Sequence, residues 1–234
     1  MTTWLGDTGT PPPAQGLAHY LRFAWRAGTI AVIAYAGLVL MLLVRLIEWP
    51  LCGAGRPVTA HFARVVSRWA LAIMGLSLIV RGQPMQKPGA IVANHPSWLD
   101  VFVLNATQNV YFVAKSEVSS WPLIGRLARA TGTLFITRKG TEARRQKQAF
   151  EARLKAGHRL LFFPEGTSSD SIRVLPFKST LFEAFFAEGL VRVMHIQPVT
   201  VIFYAPEGAD PRFYGWWGDM AFFGHFLSTL GAGR

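Results

Sequence analysis

The chain has 234 residues, enough for one sizeable domain with an accessory segment. Its single cysteine excludes an internal disulfide and a cysteine-rich metal site. A hydrophobic content of 51%, a mean hydropathy of +0.27 and a net charge of +11 indicate a protein held against an anionic membrane surface. The distribution of the cations argues against a nucleic-acid partner, because they are scattered among apolar runs instead of forming one polar basic stripe.

The first part of the chain predicts a leader followed by membrane-associated helices. Residues 1–20 are rich in Thr, Gly and Pro and predict a flexible leader. Residues 21–76 predict a two-helix membrane segment. Its first helix contains the uncharged run Ala27–Val44, which rises about 27 Å and just suffices to span a bilayer. A buried core helix is the alternative, and a full span and a re-entrant helix both stay open. The second helix, at 59–80, is amphipathic and typical of the headgroup region.

Residues 77–206 predict an α/β domain, because apolar strand-like runs alternate there with helical patterns. The predicted strands are Leu76–Arg81, Ala90–Ala93, Val110–Ala114, Gly132–Ile136, Arg159–Phe163 and Met194–Tyr204. The predicted helices lie at 97–107, 121–130, 140–156 and 177–188. We expect a mixed, largely parallel sheet flanked by helices and followed by an aromatic C-terminal segment at 207–234.

Two polar loops follow predicted strands and carry the candidate chemistry. His95 and Asp100 lie five residues apart in the first loop, where Pro96 favours a helix start. A neutral imidazole oriented by a carboxylate is a common general base for a hydroxyl group. Glu165 lies in the second loop, where it could bind a substrate amine or hydroxyl. The structural alternatives are a helix-capping histidine beside a surface aspartate, and a simple Pro-Glu-Gly turn.

Four ordered motifs resemble the lysophospholipid acyltransferase family, of the 1-acylglycerol-3-phosphate O-acyltransferase type. Asn94–Asp100 matches the family pattern Asn-His-x4-Asp, and Gly132–Arg138 matches the second block, which ends in arginine. Phe163–Thr167 matches the third block and Ile196–Val199 the proline-containing fourth. The resemblance covers about residues 77–204, and it implies the glycerolipid acyltransferase fold preceded by a two-helix membrane segment.

The resemblance also implies a reaction. His95, oriented by Asp100, takes a proton from the free hydroxyl of a lysolipid, and the oxygen attacks the thioester of acyl-CoA or acyl carrier protein, with no metal and no cofactor. The implied acceptor-site residues are Arg138, Glu165, Gly166 and Thr167, with Lys115 near the headgroup and Pro198 on the acyl-donor side. We expect an enzyme of the inner membrane whose catalytic domain faces the cytoplasm.

The identity of the acceptor stays open at this point. The main interpretation is 1-acylglycerol-3-phosphate, which would give phosphatidate. However, Ser168, Ser169 and Asp170 follow the third block where many lysophosphatidate enzymes carry a cation. That departure is similar to bacterial lyso-ornithine lipid acyltransferases, and the added polarity would suit an acceptor with a free amino group. The aromatic segment 207–234 would cover an acyl tunnel, lie on the membrane or pack in the core.

Other classes of protein are less well supported. A serine hydrolase of the α/β type needs a Gly-x-Ser-x-Gly elbow, which the sequence lacks. A metal site would need a ligand cluster such as His-x3-His, and none occurs. A catalytically inactive membrane-binding scaffold is the remaining alternative, and the intact His95, Asp100, Glu165 and Arg138 argue against it.

Overall fold

A five-stranded parallel sheet forms the centre of the protein, and helices flank it. The computed structural model describes residues 4–6, 16–53, 55–137, 143–179, 182 and 194–233. The strands are β1 (Gly89–Ala93), β2 (Tyr111–Lys115), β3 (Leu134–Ile136), β4 (Arg159–Phe162) and β5 (His195–Val199), in the order β3-β2-β4-β1-β5. The helices are α1 (Gly16–Cys52), α2 (Ala60–Met74), α3 (Asp100–Thr107), α4 (Ile124–Thr131), α5 (Ala143–Lys155) and α6 (Phe222–Gly231), with a 3-10 turn at Ser116–Ser120.

The two central strands, β1 and β4, are buried on both faces. Ile91 on β1 and Leu160 and Leu161 on β4 have no exposed surface. Continuous apolar runs of this kind are typical of parallel strands that are covered on both sides. The register pairs Ile91 with Leu161, so both strands end at the same edge of the sheet. The loops that follow β1 and β4 are therefore neighbours.

The structure confirms the predicted α/β fold and a parallel sheet, but several predicted bounds are wrong. The predicted strand Leu76–Arg81 is irregular and forms no part of the sheet. The amphipathic helix ends at Met74 instead of residue 80, since Gly75 adopts a left-handed conformation with φ of 81° and caps it.

The ends of the chain also differ from the predictions. The predicted strand Met194–Tyr204 is regular only to Val199. Residues 16–20 of the predicted flexible leader belong to α1. Most of the helix predicted at 177–188 lies outside the described residues, as do residues 140–142 of the helix that forms α5.

Helix α1 lies lengthwise against the rest of the protein. Among the described residues it is the one helix long and apolar enough to cross a membrane, with a mean hydropathy of 2.6 over its most apolar window. Its buried residues are spaced along one face: His19, Arg26, Met41 and Glu48. Helix α2 turns back along this face, and Glu48 accepts hydrogen bonds from the backbone N–H and the hydroxyl of Thr59 at the start of α2. The opposite face of α1 carries exposed apolar side chains, consistent with membrane association.

The first turns of α1 bind the last turn of α6. Arg26 donates to the carbonyls of Leu230 and Ala232, both at 2.8 Å, and Arg22 donates to the carbonyl of Gly231 at 2.9 Å. The last carbonyls of a helix have no partners within the helix, and a cation there is favoured by the helix dipole. These bonds therefore fix the C-terminal helix to the N-terminal one.

We predict that Gly231→Ala destabilises the protein. A Cβ at Gly231 would clash with the ring of His19, which donates a hydrogen bond to the carbonyl of Leu227. Overpacking of this kind costs about 1–3 kcal/mol, so the midpoint of thermal unfolding in detergent should fall. Gly28→Ala is the matched control, because nothing lies within 4 Å of its added Cβ and alanine favours a helix. An equal loss of stability in both variants would contradict the proposed contact.

Candidate active site

The candidate site lies at the carboxyl edge of the sheet, where an α/β fold places its ligands. His95 is in the loop that follows β1, and Glu165 is in the loop that follows β4. Helix α3 begins at Asp100, so its first turn faces the His95 loop. The structure thus brings together three of the residues that the sequence predicts for the site.

His95 and Asp100 form a hydrogen-bonded pair. Nδ1 of His95 lies 2.7 Å from Oδ2 of Asp100, and the backbone N–H of Ser97 donates to the same oxygen at 3.1 Å. Asp100 has no exposed surface, and burial raises its pKa to about 6 despite the opposing bond from His95. When ionised, the carboxylate accepts the Nδ1 proton, which leaves Nε2 of the neutral imidazole as the basic nitrogen.

The ring of His95 is held on one face and open at its edge. Phe163 stacks on it with ring centroids 3.9 Å apart and an interplanar angle of 11°. The side chain is 20% exposed, and no described residue forms a hydrogen bond with Nε2. The pair therefore presents one free, oriented nitrogen at the edge of the sheet, which can take a proton from a bound hydroxyl group.

Glu165 holds the backbone of the His95 loop through a hydrogen bond. It is 1% exposed, and its two oxygens accept backbone N–H groups from His95 and Leu175, each at 2.7 Å. Both bonds are charge-assisted and short, as expected for an ionised acceptor. The structure thus gives Glu165 a positioning contact, while direct contact with an acceptor lipid stays a prediction.

The rest of the third block wraps around the same loop. Gly166 has a φ of 69°, a left-handed conformation that favours glycine, and its N–H donates to the carbonyl of Phe163. Thr167 lies in the same tight turn and is half-buried. The N–H of Ser169 donates to the carbonyl of His95 at 2.8 Å. This block therefore fixes the backbone that carries His95.

Asp170 is used within the protein. It is 1% exposed, and its carboxylate accepts the backbone N–H groups of Ile172 and Arg173 at 3.2 Å. Its second oxygen pairs with the guanidinium of Arg173 at 2.9 Å. The carboxylate is therefore not free to bind an amino group, so the sequence-based argument for an aminolipid acceptor fails at this residue.

The other predicted site residues are spread over the sheet. Lys115 is exposed at the carboxyl end of β2, beside β4, and thus at the same edge as His95. Pro198 lies on β5 opposite Val92 and is exposed. Arg138, which follows β3, lies outside the described residues. The substrate contacts of these residues, and of Gly166 and Thr167, stay predictions.

Sequence reasoning missed two contacts that support residues 94–99, the candidate catalytic loop. The side-chain amide of Asn94 exchanges two hydrogen bonds with the backbone of Val201, at 2.7 and 2.9 Å, and so joins the loop to the chain after β5. The indole N–H of Trp98 donates to Nδ1 of His225 on α6 at 2.8 Å. The second contact spans 127 positions, and only the aromatic composition of residues 213–223 hinted at a role for that segment.

Comparison with known proteins defines the class. The family model described as Acyltransferase matches residues 77–202, which is more than half of the chain. The lyso-ornithine lipid O-acyltransferase of Rhodobacter capsulatus is 56% identical over 231 residues, covering 99% of this chain and 84% of that protein. The chain therefore belongs to the acyltransferase family, and it is an enzyme that acylates lysolipids.

Further relatives are more distant. The lyso-ornithine lipid O-acyltransferase of Rhizobium meliloti is 33% identical and covers 86% of this chain and 71% of its own. A 1-acyl-sn-glycerol-3-phosphate acyltransferase of Neisseria gonorrhoeae is 36% identical, covering 53% of this chain and 50% of its own. The crystal structure of the 1-acyl-sn-glycerophosphate acyltransferase PlsC of Thermotoga maritima has a TM-score of 0.54 at 22% identity, covering 72% of this chain and 68% of its own, and shows a shared fold.

We predict that Glu165→Gln lowers both stability and turnover. The amide nitrogen of glutamine would face one of the two backbone N–H donors, which leaves that donor buried without an acceptor at a cost of about 1–3 kcal/mol. Glu207→Gln, an exposed site with the same change of charge, is the control for unfolding and kinetics. A normal unfolding midpoint with a selectively raised KM for the lipid acceptor would instead show that Glu165 binds substrate.

We predict that turnover falls as the pH is lowered through about 6, the raised pKa of Asp100. A protonated carboxyl group no longer accepts the Nδ1 proton of His95, so the base loses its orientation. Asp100→Asn should turn over more slowly than the wild type at every pH, because the carboxylate that orients the base is absent. A pH series of kcat for both proteins checks this, and a wild-type kcat in the variant would assign the orientation of His95 to another group.

Proposed function

We propose that this enzyme transfers a fatty acyl group from acyl-CoA or acyl carrier protein to the free hydroxyl of lyso-ornithine lipid. The observation that carries this choice of acceptor is the 56% identity with the Rhodobacter capsulatus enzyme, which extends over 99% of the chain. The similarity to the Neisseria lysophosphatidate enzyme extends over about half of it. The comparisons therefore favour the alternative acceptor over 1-acylglycerol-3-phosphate, the main interpretation from the sequence.

His95 is the proposed general base. Its Nε2 takes the proton of the acceptor hydroxyl, while the bond from Nδ1 to Asp100 holds the ring in the required tautomer. The buried carboxylate then stabilises the imidazolium that forms, as in other base–carboxylate pairs. The stacked ring of Phe163 keeps the imidazole from turning out of this geometry.

The acyl group then moves in one addition and one elimination. The deprotonated oxygen attacks the thioester carbonyl, a new C–O bond forms, and the resulting tetrahedral intermediate collapses with loss of the C–S bond. The imidazolium of His95 returns its proton to the departing thiolate. Atoms and charges balance without an acyl-enzyme, a metal or a redox cofactor.

The lipid and its donor approach the carboxyl edge of the sheet in this proposal. Lys115 is an exposed cation at that edge and would bind the carboxylate of the ornithine headgroup. Arg138, Gly166 and Thr167 would line the acceptor site, and Pro198 would lie on the donor side. The acidic donors are cytosolic, so we place the enzyme at the inner membrane with its catalytic domain toward the cytoplasm and its basic surface on anionic lipid.

The test is acyl transfer by membranes that contain the full-length protein. Lyso-ornithine lipid and lysophosphatidate are offered separately, each with labelled acyl-CoA or acyl carrier protein. We expect labelled ornithine lipid as the main product and its loss in His95→Ala. Phosphatidate as the main product would overturn the proposed acceptor but not the mechanism.

His195→Ala is the matched control for the catalytic histidine. His195 is exposed at the start of β5, which is the opposite edge of the same sheet. Its removal should leave kcat unchanged. Normal turnover by a folded His95→Ala protein would overturn the base assignment, and label on neither acceptor would favour the inactive scaffold.

A further inference from the structure

One side chain of the catalytic loop is held by a helix outside the family-matched residues. Trp98 lies between His95 and Asp100, and its indole N–H donates to Nδ1 of His225 at 2.8 Å. His225 lies on α6, beyond residue 202, and is 1% exposed. We propose that His225 is a positioning residue for acyl transfer, which holds His95 against Asp100 by accepting the indole N–H of Trp98. This inference rests on the proposed role of His95 as the base.

The loop has little freedom once Trp98 is fixed. Leu99, the next residue, is fully buried, and the ring of Pro96 restricts the backbone on the other side. Trp98 packs edge-on against Phe222 and Phe226, one helical turn apart on α6, with ring centroids 5.6 and 5.4 Å away. The two ring contacts fix how closely the indole packs against α6, and the hydrogen bond to His225 fixes the direction of its N–H group.

His225 is suited to accept this bond. Burial lowers its pKa to about 4, against the opposing effect of the carbonyls of Phe213 and Gly215, so the imidazole is neutral at the pH of the cytosol. Because Nδ1 accepts the indole proton, the ring proton of His225 lies on Nε2. The side chain therefore offers one acceptor, Nδ1, which lies 2.8 Å from the indole nitrogen of Trp98 and 3.4 Å from the hydroxyl of Thr229 on the same helix.

The position of His225 is itself fixed from α1. Arg22 and Arg26 bind the last carbonyls of α6, and Phe23 packs against Phe226 with ring centroids 5.6 Å apart. A shift of α6 would therefore disturb both its contacts with α1 and the hydrogen bond between His225 and Trp98. The catalytic loop thus depends on a helix that lies outside the strands of the sheet and the segment matched by the family model.

The first test is the pair of variants that remove one partner each. His225→Leu deletes the acceptor and Trp98→Phe deletes the donor, and neither side chain is proposed to touch substrate. A loop displaced by about 1 Å can cost about 100-fold in rate, so we expect kcat to fall about 10- to 100-fold. The KM for donor and acceptor should change less than about twofold, since ground-state binding is not altered. The double variant should be no slower than the slower single variant, as for two groups that act through one bond.

Rescue separates positioning from general stability. In His225→Asn the side-chain oxygen takes the place of Nδ1, and kcat should return to within about threefold of the wild type. A threefold change in rate corresponds to less than about 1 kcal/mol of activation free energy, because a tenfold change corresponds to about 1.36 kcal/mol. Trp69→Phe is the matched control, because it makes the same change of side chain at an exposed position on α2. It should keep wild-type kcat.

Turnover is measured per folded protein, with the acceptor that the wild type uses fastest, and thermal unfolding is recorded for each variant. A normal kcat in His225→Leu, an asparagine variant no faster than the leucine variant, or single effects that multiply in the double variant would each overturn the inference. Loss of activity in His95→Ala beside normal kcat in His225→Leu would refute this inference alone. Activity in His95→Ala would instead refute the proposed mechanism.

Discussion

The loops after β1 and β4 are tied together by the carboxylate of Glu165, which accepts one backbone N–H from His95 and one from Leu175. Taking a carboxylate out of water costs several kcal/mol, and only well-formed bonds to both oxygens offset that cost. The arrangement is therefore rigid: neither loop can shift without leaving a buried charge unsatisfied. The orientation of His95 toward Asp100 and its stacking on Phe163 both depend on this bridge, because they are set by where the His95 backbone is held.

The local part of this architecture can be read from the sequence. The runs that form β1 and β4 are apolar without alternation, as buried parallel strands require. The His95–Asp100 pair is predictable only in part: the sequence places Pro96 at a helix start and Asp100 one turn in, whereas α3 begins at Asp100 and Pro96 lies in the preceding loop. The same reasoning fails where hydrophobicity alone is the signal. Leu76–Arg81 is as apolar as a strand, but it forms no part of the sheet.

Partners distant in sequence could not be predicted. Asp170 was interpreted as polarity available to a substrate, yet its carboxylate is consumed by Arg173 and two backbone amides. Arg22 and Arg26 resemble the cations that flank a membrane helix, whereas they cap a helix more than 200 positions away. A sequence shows that a polar group is present, but the number of its bonds already satisfied is a property of the fold.

The lengthwise seating of α1 has a consequence for how the enzyme reaches its lipid. A helix that carried the protein as a stalk would have no buried residues, whereas α1 has buried residues in both halves, namely His19, Arg26, Met41 and Glu48. The exposed apolar side chains on its other face are the ones that lipid can contact. Only the ring of Phe226 separates Phe23 of α1 from Trp98 of the catalytic loop. The catalytic loop is therefore packed, through one aromatic ring, against the helix that carries the exposed apolar face.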